Sequence, residues 1–380
     1  MSYILNLNWQ DFLDNYWQKK PVLIKHAFNQ FIDPITPEIL AGLAMEQEID
    51  SRIVTNHNQQ WSLMHGPFEN FSELTDSHST LLVQAVNHWY EEVNPLLEPF
   101  RCLPNWRLDD LMISYSTPNG GVGPHVDQYD VFILQGMGKR HWRVGEIQNV
   151  KSISPHPQLL QIEGFETYID VILEPGDLLY IPPLAPHEGY AIEPSLNYSI
   201  GFRAPNAREL LSGFADYVIE NQLGGERYYD KKAYQLPSTM LRDDVHSINP
   251  TELIALKSML QNLLEDDNHF THFAGSFLSQ SRHELNLVED ECVTLEELLE
   301  IVHEGESLIK LSGLRIIHLD NHLFINGEMF DIQNPILKNH ILKNIPFDYS
   351  TLSSIQADES AMNQLLELVN HGYWHFDSID

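Results

Sequence analysis

The stretch Gly120-Gly-Val-Gly-Pro-His125-Val-Asp127-Gln-Tyr-Asp-Val-Phe-Ile-Leu134 decides how this sequence folds and what chemistry it supports. A glycine-rich loop leads into β-branched and aromatic residues, which predicts a strand over residues 126–135. Residues two apart in a strand project from the same face, so we expect His125 and Asp127 to point the same way. An imidazole and a carboxylate on one face can hold a metal ion if a third ligand arrives from elsewhere.

We expect the third ligand to be His187, which ends the segment Pro182-Pro-Leu-Ala-Pro-His187. Glu174-Pro-Gly-Asp177 predicts a turn and Leu178-Leu-Tyr-Ile181 a buried strand, so the prolines form a rigid corner that presents the histidine. Two histidines and one carboxylate make a facial triad with open coordination positions, which suits Fe(II) and oxygen chemistry. The alternative for His125 and Asp127 is an ordinary polar strand end, because the chain has 19 histidines.

A candidate anion clamp accompanies the triad. Arg140 follows Asp127 by thirteen positions, on the next predicted strand. The guanidinium group of arginine is suited to binding a carboxylate inside a pocket. The neighbouring predicted strands also carry small polar residues: Ser114, Ser116, Asn197 and Ser199.

Composition limits what kind of protein this chain can be. Its 380 residues are 43% hydrophobic, which is enough for two or three globular domains with their own cores. No apolar run approaches the ~18 residues needed to cross a bilayer, and no signal peptide is recognisable, so we predict a cytoplasmic protein. The two cysteines, Cys102 and Cys292, have no CxxC partner, which argues against a disulfide scaffold and a thiolate metal site.

The charge balance points to the class of partner. Lys and Arg number 22 against 54 Asp and Glu, which gives a formal net charge of -32. Such a field repels nucleic acid phosphates and attracts cationic macromolecules, although acidic solubility alone is the simpler reading. A phosphate-binding loop at 135–140 is excluded because the GxxxxGK[ST] spacing is missing.

The region between residues 107 and 205 is predicted to be all β. The segments are 110–117, 126–135, 139–146, 167–173, 177–182, 187–192 and 195–203. Many short strands separated by turn signals predict a sandwich or barrel. We expect a jelly roll (double-stranded β-helix), because its mouth can host a metal ion between two strands.

The regions on either side mix helices with strands, so the chain as a whole is predicted to be α+β. The N-terminal third is an α/β support, with a helix at 9–20, a hairpin over 51–64 and one or two helices over 80–99. Apolar stripes after residue 205 predict helices around a polar linker at 224–248. Self-association and packing within the chain explain those stripes equally well.

The last hundred residues have the order of a small winged-helix module. The predicted elements are a helix at 294–304, strands at 307–318 and 322–326, and helices at 334–343 and 359–371. Because this region is acidic, we do not expect it to bind duplex DNA.

The sequence resembles the JmjC-domain, cupin-type oxygenases that depend on Fe(II) and 2-oxoglutarate, and among them the bacterial ribosomal oxygenases. The strings that carry the resemblance are Trp9-Gln-Asp-Phe12, Asp109-Asp-Leu-Met-Ile-Ser114, Gly123-Pro-His-Val-Asp127, Trp142-Arg-Val-Gly-Glu146, Pro186-His-Glu-Gly-Tyr190, Ile200-Gly-Phe-Arg-Ala-Pro205, Ser279-Gln-Ser-Arg-His-Glu-Leu285 and Gly372-Tyr-Trp374. The HxD…H pattern is common to the whole family, whereas the flanking strings are specific to the ribosomal enzymes.

The resemblance implies a role for each candidate residue. His125, Asp127 and His187 would ligate Fe(II). Arg140 would bind the far carboxylate of 2-oxoglutarate, Ser114 would hydrogen-bond this cosubstrate, and Asn197 would assist.

The resemblance also implies an activity, a substrate and an architecture. The enzyme would couple the oxidative decarboxylation of 2-oxoglutarate by O2 to 3-hydroxylation of an arginine in the basic large-subunit ribosomal protein L-sixteen. The expected domains are a catalytic domain at 1–205, a helical dimerisation region at 206–285 that makes a homodimer, and a winged-helix-like domain at 286–380.

Three other readings stay open at the level of sequence. A histidine-directed hydroxylase of ribosomal proteins would show the same triad. A cupin of another class would use a metal ion without 2-oxoglutarate and would not need Arg140. A non-catalytic cupin module could dock on a ribosomal protein. Possible substrate contacts at the mouth are the carboxylates and tyrosines Asp109, Asp110, Tyr129, Asp130, Glu188 and Tyr190.

Overall fold

The computed structural model describes residues 2–57, 60–229, 246, 248, 250–287 and 292–377. Most of the linker predicted at 224–248 therefore lies outside the described residues, as does the tip of the hairpin predicted over 51–64. The chain forms two compact units. One comprises Met1–Ala204, Ser281–Arg315 and Ile332–Asp380, and the other comprises Pro205–Gln280 and Ile316–Asp331.

The regular elements are numbered in chain order. The strands are β1 (Val22–Ile24), β2 (Ser51–His57), β3 (Gln60–His65), β4 (Ser79–Val83), β5 (Leu108–Ser116), β6 (Asp130–Gln135), β7 (Arg140–Val144), β8 (Ser152–His156), β9 (Leu159–Ile162), β10 (Ile169–Leu173), β11 (Leu178–Ile181), β12 (His187–Ala191), β13 (Ser195–Phe202), β14 (Leu308–Lys310), β15 (Ile316–Leu319), β16 (His322–Ile325), β17 (Glu328–Phe330) and β18 (Trp374–Phe376). The α-helices are α1 (Trp9–Asn15), α2 (Pro37–Leu43), α3 (Val86–Trp89), α4 (Ala207–Glu220), α5 (Pro250–Leu264), α6 (Asp267–Ser279), α7 (Leu295–His303), α8 (Pro335–Lys343), α9 (Tyr349–Ile355) and α10 (Glu359–Asn370).

Two antiparallel sheets form the catalytic core of the first unit. The large sheet has the strand order β1-β11-β6-β13-β5-β4-β2-β3, and the small sheet has the order β10-β7-β12. Between them lies an apolar cluster that takes Val131 and Ile133 from the large sheet and Trp142 and Val144 from the small one. The predicted jelly roll is therefore confirmed, with α-helices and further strands around it.

Alternate side chains of the central strands point into the jelly roll and away from it. All six residues of β6 are buried, because the strand is covered on both faces. Val131 and Ile133 face the small sheet, whereas Phe132 and Leu134 belong to a second core that also contains Phe12. Since alternate side chains share a face, the pairing of each strand fixes which polar groups point inward.

Before residue 206, three differences from the sequence predictions bear on the site. Residues 126–129 are not part of a strand, since β6 begins only at Asp130. The stretch 80–99 is not one or two long helices. It contains β4, whose five residues are all buried and paired with β2 and β5, followed by the four-residue α3 and 3-10 turns. A short apolar run fits a buried strand as well as a helix. The β8–β9 hairpin was not predicted, because its polar sequence lacks a strand pattern.

Three C-terminal helices agree with their predicted positions, whereas α9, β17 and β18 were not predicted and the predicted strand segment 307–318 is interrupted between β14 and β15. Helices α7, α8 and α10 begin and end within one residue of the predicted helices. In the second unit, α4 begins with a capping box in which Asn206 and Glu209 satisfy each other's backbone N–H groups. Among the described residues, no helix is long and apolar enough to span a membrane.

Candidate active site

His125, Asp127 and His187 come together at the mouth of the jelly roll. The Nε2 atoms of His125 and His187 lie 3.8 and 3.5 Å from Oδ2 of Asp127. His125 and His187 face each other as an isolated β-bridge, with two backbone hydrogen bonds of 2.9 Å between them. This bridge, rather than a regular strand, holds the loop of the HxD motif beside His187, the first residue of β12.

The second nitrogen of each imidazole ring is already used. Nδ1 of His125 lies 2.9 Å from the carbonyl oxygen of Gly123, and Nδ1 of His187 lies 3.0 Å from that of Ala185. Because a carbonyl oxygen only accepts, both Nδ1 atoms carry the proton and both Nε2 atoms keep a free lone pair. Backbone partners of this kind orient the ligating rings of metal sites.

Burial keeps one of these imidazoles neutral. His187 is 2% exposed, and desolvation followed by the neighbouring His125 lowers the pKa of His187 to about 4. The donor atoms of the three residues all lie within 4.8 Å of one another. Two imidazoles and one carboxylate in this arrangement fit a divalent transition metal such as Fe(II).

A cavity of about 250 Å3 opens beside the triad, and Arg140 lies in its wall. Arg140 is 5% exposed, and burial lowers the pKa of its guanidinium to about 9, which still leaves it charged at neutral pH. Nε donates to Oγ of Ser195 at 2.9 Å, Nη1 to Oγ of Ser114 at 3.0 Å, and Nη2 to the carbonyl oxygens of Ser114 and Ser195. Among the described residues it has no carboxylate partner.

An unpaired buried cation calls for an anionic ligand. Taking a charge out of water costs several kcal/mol, and neutral hydroxyl and carbonyl groups offset only part of that. The four hydrogen bonds use four of the five N–H groups, so one Nη1–H remains for a ligand. Ser114 accepts from Arg140, which leaves its own O–H free to donate to the same ligand. A carboxylate therefore fits this end of the cavity.

Asn197 and Trp142 line the same cavity with unsatisfied polar atoms. Asn197 pairs with Ser114 across β13 and β5, and its Oδ1 is buried without a hydrogen-bond partner among the described residues. Nε1 of Trp142, an indole donor, is also buried without a hydrogen-bond partner among the described residues. Trp142 was not predicted as a site residue, although its position two residues after Arg140 on one strand places both side chains on the same face.

Most of the carboxylates suggested as substrate contacts are already occupied. Asp130 is fully buried and binds Arg107 at 2.9 Å. Glu188 pairs with Arg143 at 2.6 Å. Asp109 is bound by two arginines, and Asp110 is buried and accepts from the side chain of Gln84 and the backbone N–H of Ala85. Only Tyr129 of the suggested group lines the cavity.

Sequence reasoning missed other cavity residues besides Trp142. They include Arg52 on β2, Gln84 after β4, and Leu159 in the β8–β9 hairpin. These residues carry no motif. They reach the cavity because β4, β2 and β3 extend the large sheet beyond the jelly roll and because the hairpin covers the opening.

Comparison with known proteins identifies the family. The JmjC domain model matches residues 95–210, and the ROXA-like winged helix model matches residues 262–375. The ribosomal protein uL16 3-hydroxylase of Escherichia coli (strain K12) is 49% identical over 378 residues, which are 99% of this chain and 100% of that protein. The chain belongs to the JmjC-domain ribosomal oxygenases. The family resemblance stated from the sequence is thereby confirmed.

Two further relatives of this ribosomal oxygenase cover nearly the whole chain. A probable ribosomal oxygenase of Haemophilus influenzae is 30% identical over 94% of this chain and 92% of its own length. The structure of YcfD, a ribosomal oxygenase from Escherichia coli, in complex with cobalt and 2-oxoglutarate is 48% identical. It superposes with a TM-score of 0.90 over 99% of this chain and 100% of that one.

Proposed function

We propose that this ribosomal oxygenase uses Fe(II), 2-oxoglutarate and O2 to hydroxylate ribosomal protein uL16 at C-3 of an arginine. The observation that carries the proposal is the combination, in one cavity, of a two-histidine, one-carboxylate triad and a buried guanidinium that lacks an anionic partner. The triad suits Fe(II), and the guanidinium suits a second carboxylate several bonds from the metal.

The roles of the site residues follow from their contacts. His125, Asp127 and His187 would hold Fe(II), which when bound supplies the redox chemistry that inserts one oxygen atom of O2 into a C–H bond while 2-oxoglutarate becomes succinate and CO2. Arg140 and the Ser114 hydroxyl would bind the far carboxylate of the cosubstrate. Asn197, with its unsatisfied Oδ1, would adjust its amide to the same ligand.

The apolar lining protects the reaction from bulk water. Val131, Ile133 and Trp142 are each at most 7% exposed and form the wall between the two sheets. A cavity wall that excludes water strengthens the attraction between Arg140 and a carboxylate, because less solvent screens the charges. The same residues prevent loss of reactive species to water.

The choice of substrate rests on two observations. The relative that matches 99% of this chain at 49% identity is named for uL16. The net charge of -32 would also attract a basic ribosomal protein. A non-catalytic docking module is disfavoured, because burying Arg140 without a partner has no role in docking. A histidine-directed hydroxylase would differ only at the substrate end of the cavity.

Dimerisation and location belong to the same proposal. Four apolar side chains of the helical region, Leu211, Ile219, Leu253 and Leu260, are between 63% and 72% exposed. Exposed apolar residues at this density support association of two copies through residues 206–285. A ribosomal protein substrate supports a cytoplasmic location. The boundaries of the three domains remain predictions.

The decisive experiment measures oxygen incorporation. Purified oxygenase is incubated with uL16, Fe(II), 2-oxoglutarate and 18O2, and uL16 fragments are analysed by mass spectrometry. We expect one 18O atom on one arginine, with one succinate formed for each hydroxylation. His187→Ala should abolish the product, whereas His141→Ala, on the outer face of the same small sheet, should not. Absence of oxygen on uL16 with the wild-type enzyme would overturn the proposal.

A further inference from the structure

Arg52 occupies a defined place in the floor of the cavity. Strand register aligns Arg52 of β2 with Leu82 of β4, Leu82 with Ser114 of β5, and Ser114 with Asn197 of β13. All four residues line the cavity. Because adjacent strands are about 4.8 Å apart, Arg52 lies about 10 Å from Ser114, on the extension of the sheet beyond the jelly roll.

Arg52 is a second cation of this cavity without an ionic partner. Among the described residues its side chain makes no ion pair or hydrogen bond, although acidic groups of the chain outnumber basic ones 54 to 22. Other arginines of the same unit are paired: Arg143 with Glu188, Arg107 with Asp130, and Arg315 with Asp109. An arginine fork with free donors inside a cavity is poised for a ligand.

The ligand of Arg52 differs from that of Arg140. Arg140 is bound to Ser114 and Ser195, whereas Arg52 lies on β2, two strands away from Ser114. If Arg140 binds the cosubstrate, as proposed above, Arg52 remains available for the polypeptide substrate. The apolar side chains of Val54, Leu82 and Leu159 belong to one cluster and line the same cavity as Arg52.

The chemistry of a basic substrate limits which of its groups Arg52 can bind. A cationic target side chain is repelled by Arg52, and a basic protein offers few carboxylates near its target residue. Every residue of a polypeptide offers a main-chain carbonyl oxygen, which accepts well from a guanidinium. We propose that Arg52 is a substrate-binding residue, whose guanidinium binds main-chain carbonyl oxygens of the substrate polypeptide next to the target residue.

This inference rests on the proposed function, and its test begins with a uL16 peptide that the wild-type enzyme hydroxylates. Arg52→Met should raise KM for that peptide about tenfold to hundredfold, the effect of one or two charge-assisted hydrogen bonds. The value of kcat should stay within about twofold, since these bonds do not change in the reaction. Arg52→Lys should be intermediate. The matched control Arg101→Met removes the same charge from a surface pair with Glu98 and should leave KM unchanged.

Two further measurements separate the peptide backbone from other ligands. The dissociation constant for 2-oxoglutarate should be the same in wild type and Arg52→Met; an increase would assign Arg52 to the cosubstrate and overturn the inference. Peptides in which single amides are replaced by esters carry weaker carbonyl acceptors. At one or two positions beside the target, the ester should weaken binding to wild type several-fold and have no further effect on Arg52→Met. Equal losses in both enzymes, or an unchanged KM in Arg52→Met, would also overturn it. A wild-type enzyme that leaves every uL16 peptide unmodified would instead defeat the proposed function.

Discussion

Replacing Arg140 with methionine should separate cosubstrate binding from folding. The side chain keeps most of its apolar volume but loses the charge and the one N–H group that its serine partners leave free. A charge-assisted hydrogen bond contributes about 1.5 to 3 kcal/mol, so the dissociation constant for 2-oxoglutarate should rise roughly 10- to 100-fold. The unliganded protein should also lose some stability, because oxygens of Ser114 and Ser195 lose their donor, so the effect of the ligand is compared within each protein.

The assay is chemical denaturation with and without 2-oxoglutarate, with Mn(II) in place of Fe(II) so that no turnover occurs. At a ligand concentration of 100 times the wild-type dissociation constant, the ligand should stabilise wild type by about 2.7 kcal/mol. The same concentration should stabilise an Arg140→Met protein by only about 0.4 kcal/mol if its affinity is 100-fold lower. Arg143→Met is the control, because Arg143 lies on the outer face of the same strand and pairs with Glu188. Equal stabilisation of the Arg140→Met and wild-type proteins would refute the assignment of Arg140 as the clamp.

Four further outcomes follow from the same contacts. His187→Ala should weaken Mn(II) binding at least about 100-fold by calorimetry while His141→Ala does not, since His187 is a proposed ligand whereas His141 contacts only Tyr190 and Asp170 on the outer face of the sheet. For the basic uL16 protein, kcat/KM should fall roughly tenfold between low and physiological salt with kcat unchanged; a flat profile would argue against electrostatic steering. Burial lowers the pKa of His88 to about 4. Between pH 6.5 and pH 4 the His88 imidazole is therefore protonated in the unfolded chain but not in the folded chain. His88 should therefore lower the free energy of unfolding by up to about 3 kcal/mol from pH 6.5 to 4, and His88→Asn, which can still donate to the Glu284 carbonyl, should remove this share while the similar share of His187 remains. Trp142→Phe removes an indole N–H that is buried without a partner among the described residues, but it also removes buried apolar volume, so the unfolding free energy of the unliganded protein should fall by less than about 2 kcal/mol; a larger loss would show that the N–H is satisfied.

The sequence predicts the chemistry of the site better than its geometry. Short-range spacing identifies His125 and Asp127, and a proline-braced corner identifies His187. The strand expected to carry the pair does not begin until Asp130, because two backbone hydrogen bonds to His187 hold the loop instead. That bridge joins residues about 60 positions apart, and no local pattern encodes such a contact.

The residues that sequence reasoning missed have a common physical origin. Arg52 lies on β2, in a predicted hairpin that carries no functional motif, and Gln84 follows β4, in a stretch predicted as helix. They become cavity residues only because β4 pairs with both β2 and β5, which carries the inner face of the jelly roll outward. The pairing of strands from distant segments therefore cannot be predicted from a single sequence.

The two ends of the cavity also explain why chemistry and substrate had to be inferred differently. The end near Arg140 must accommodate one small dianion, so a few fixed groups suffice, and their residue types alone indicate the ligand. The end near Arg52 must accept a polypeptide, whose identity depends on many weak contacts spread over the extended sheet and the β8–β9 hairpin. If Arg52 binds main-chain carbonyl oxygens, it fixes the path of the polypeptide without selecting its sequence. Selection between arginine and histidine targets would then fall to the groups around Tyr129, where the target side chain meets the metal.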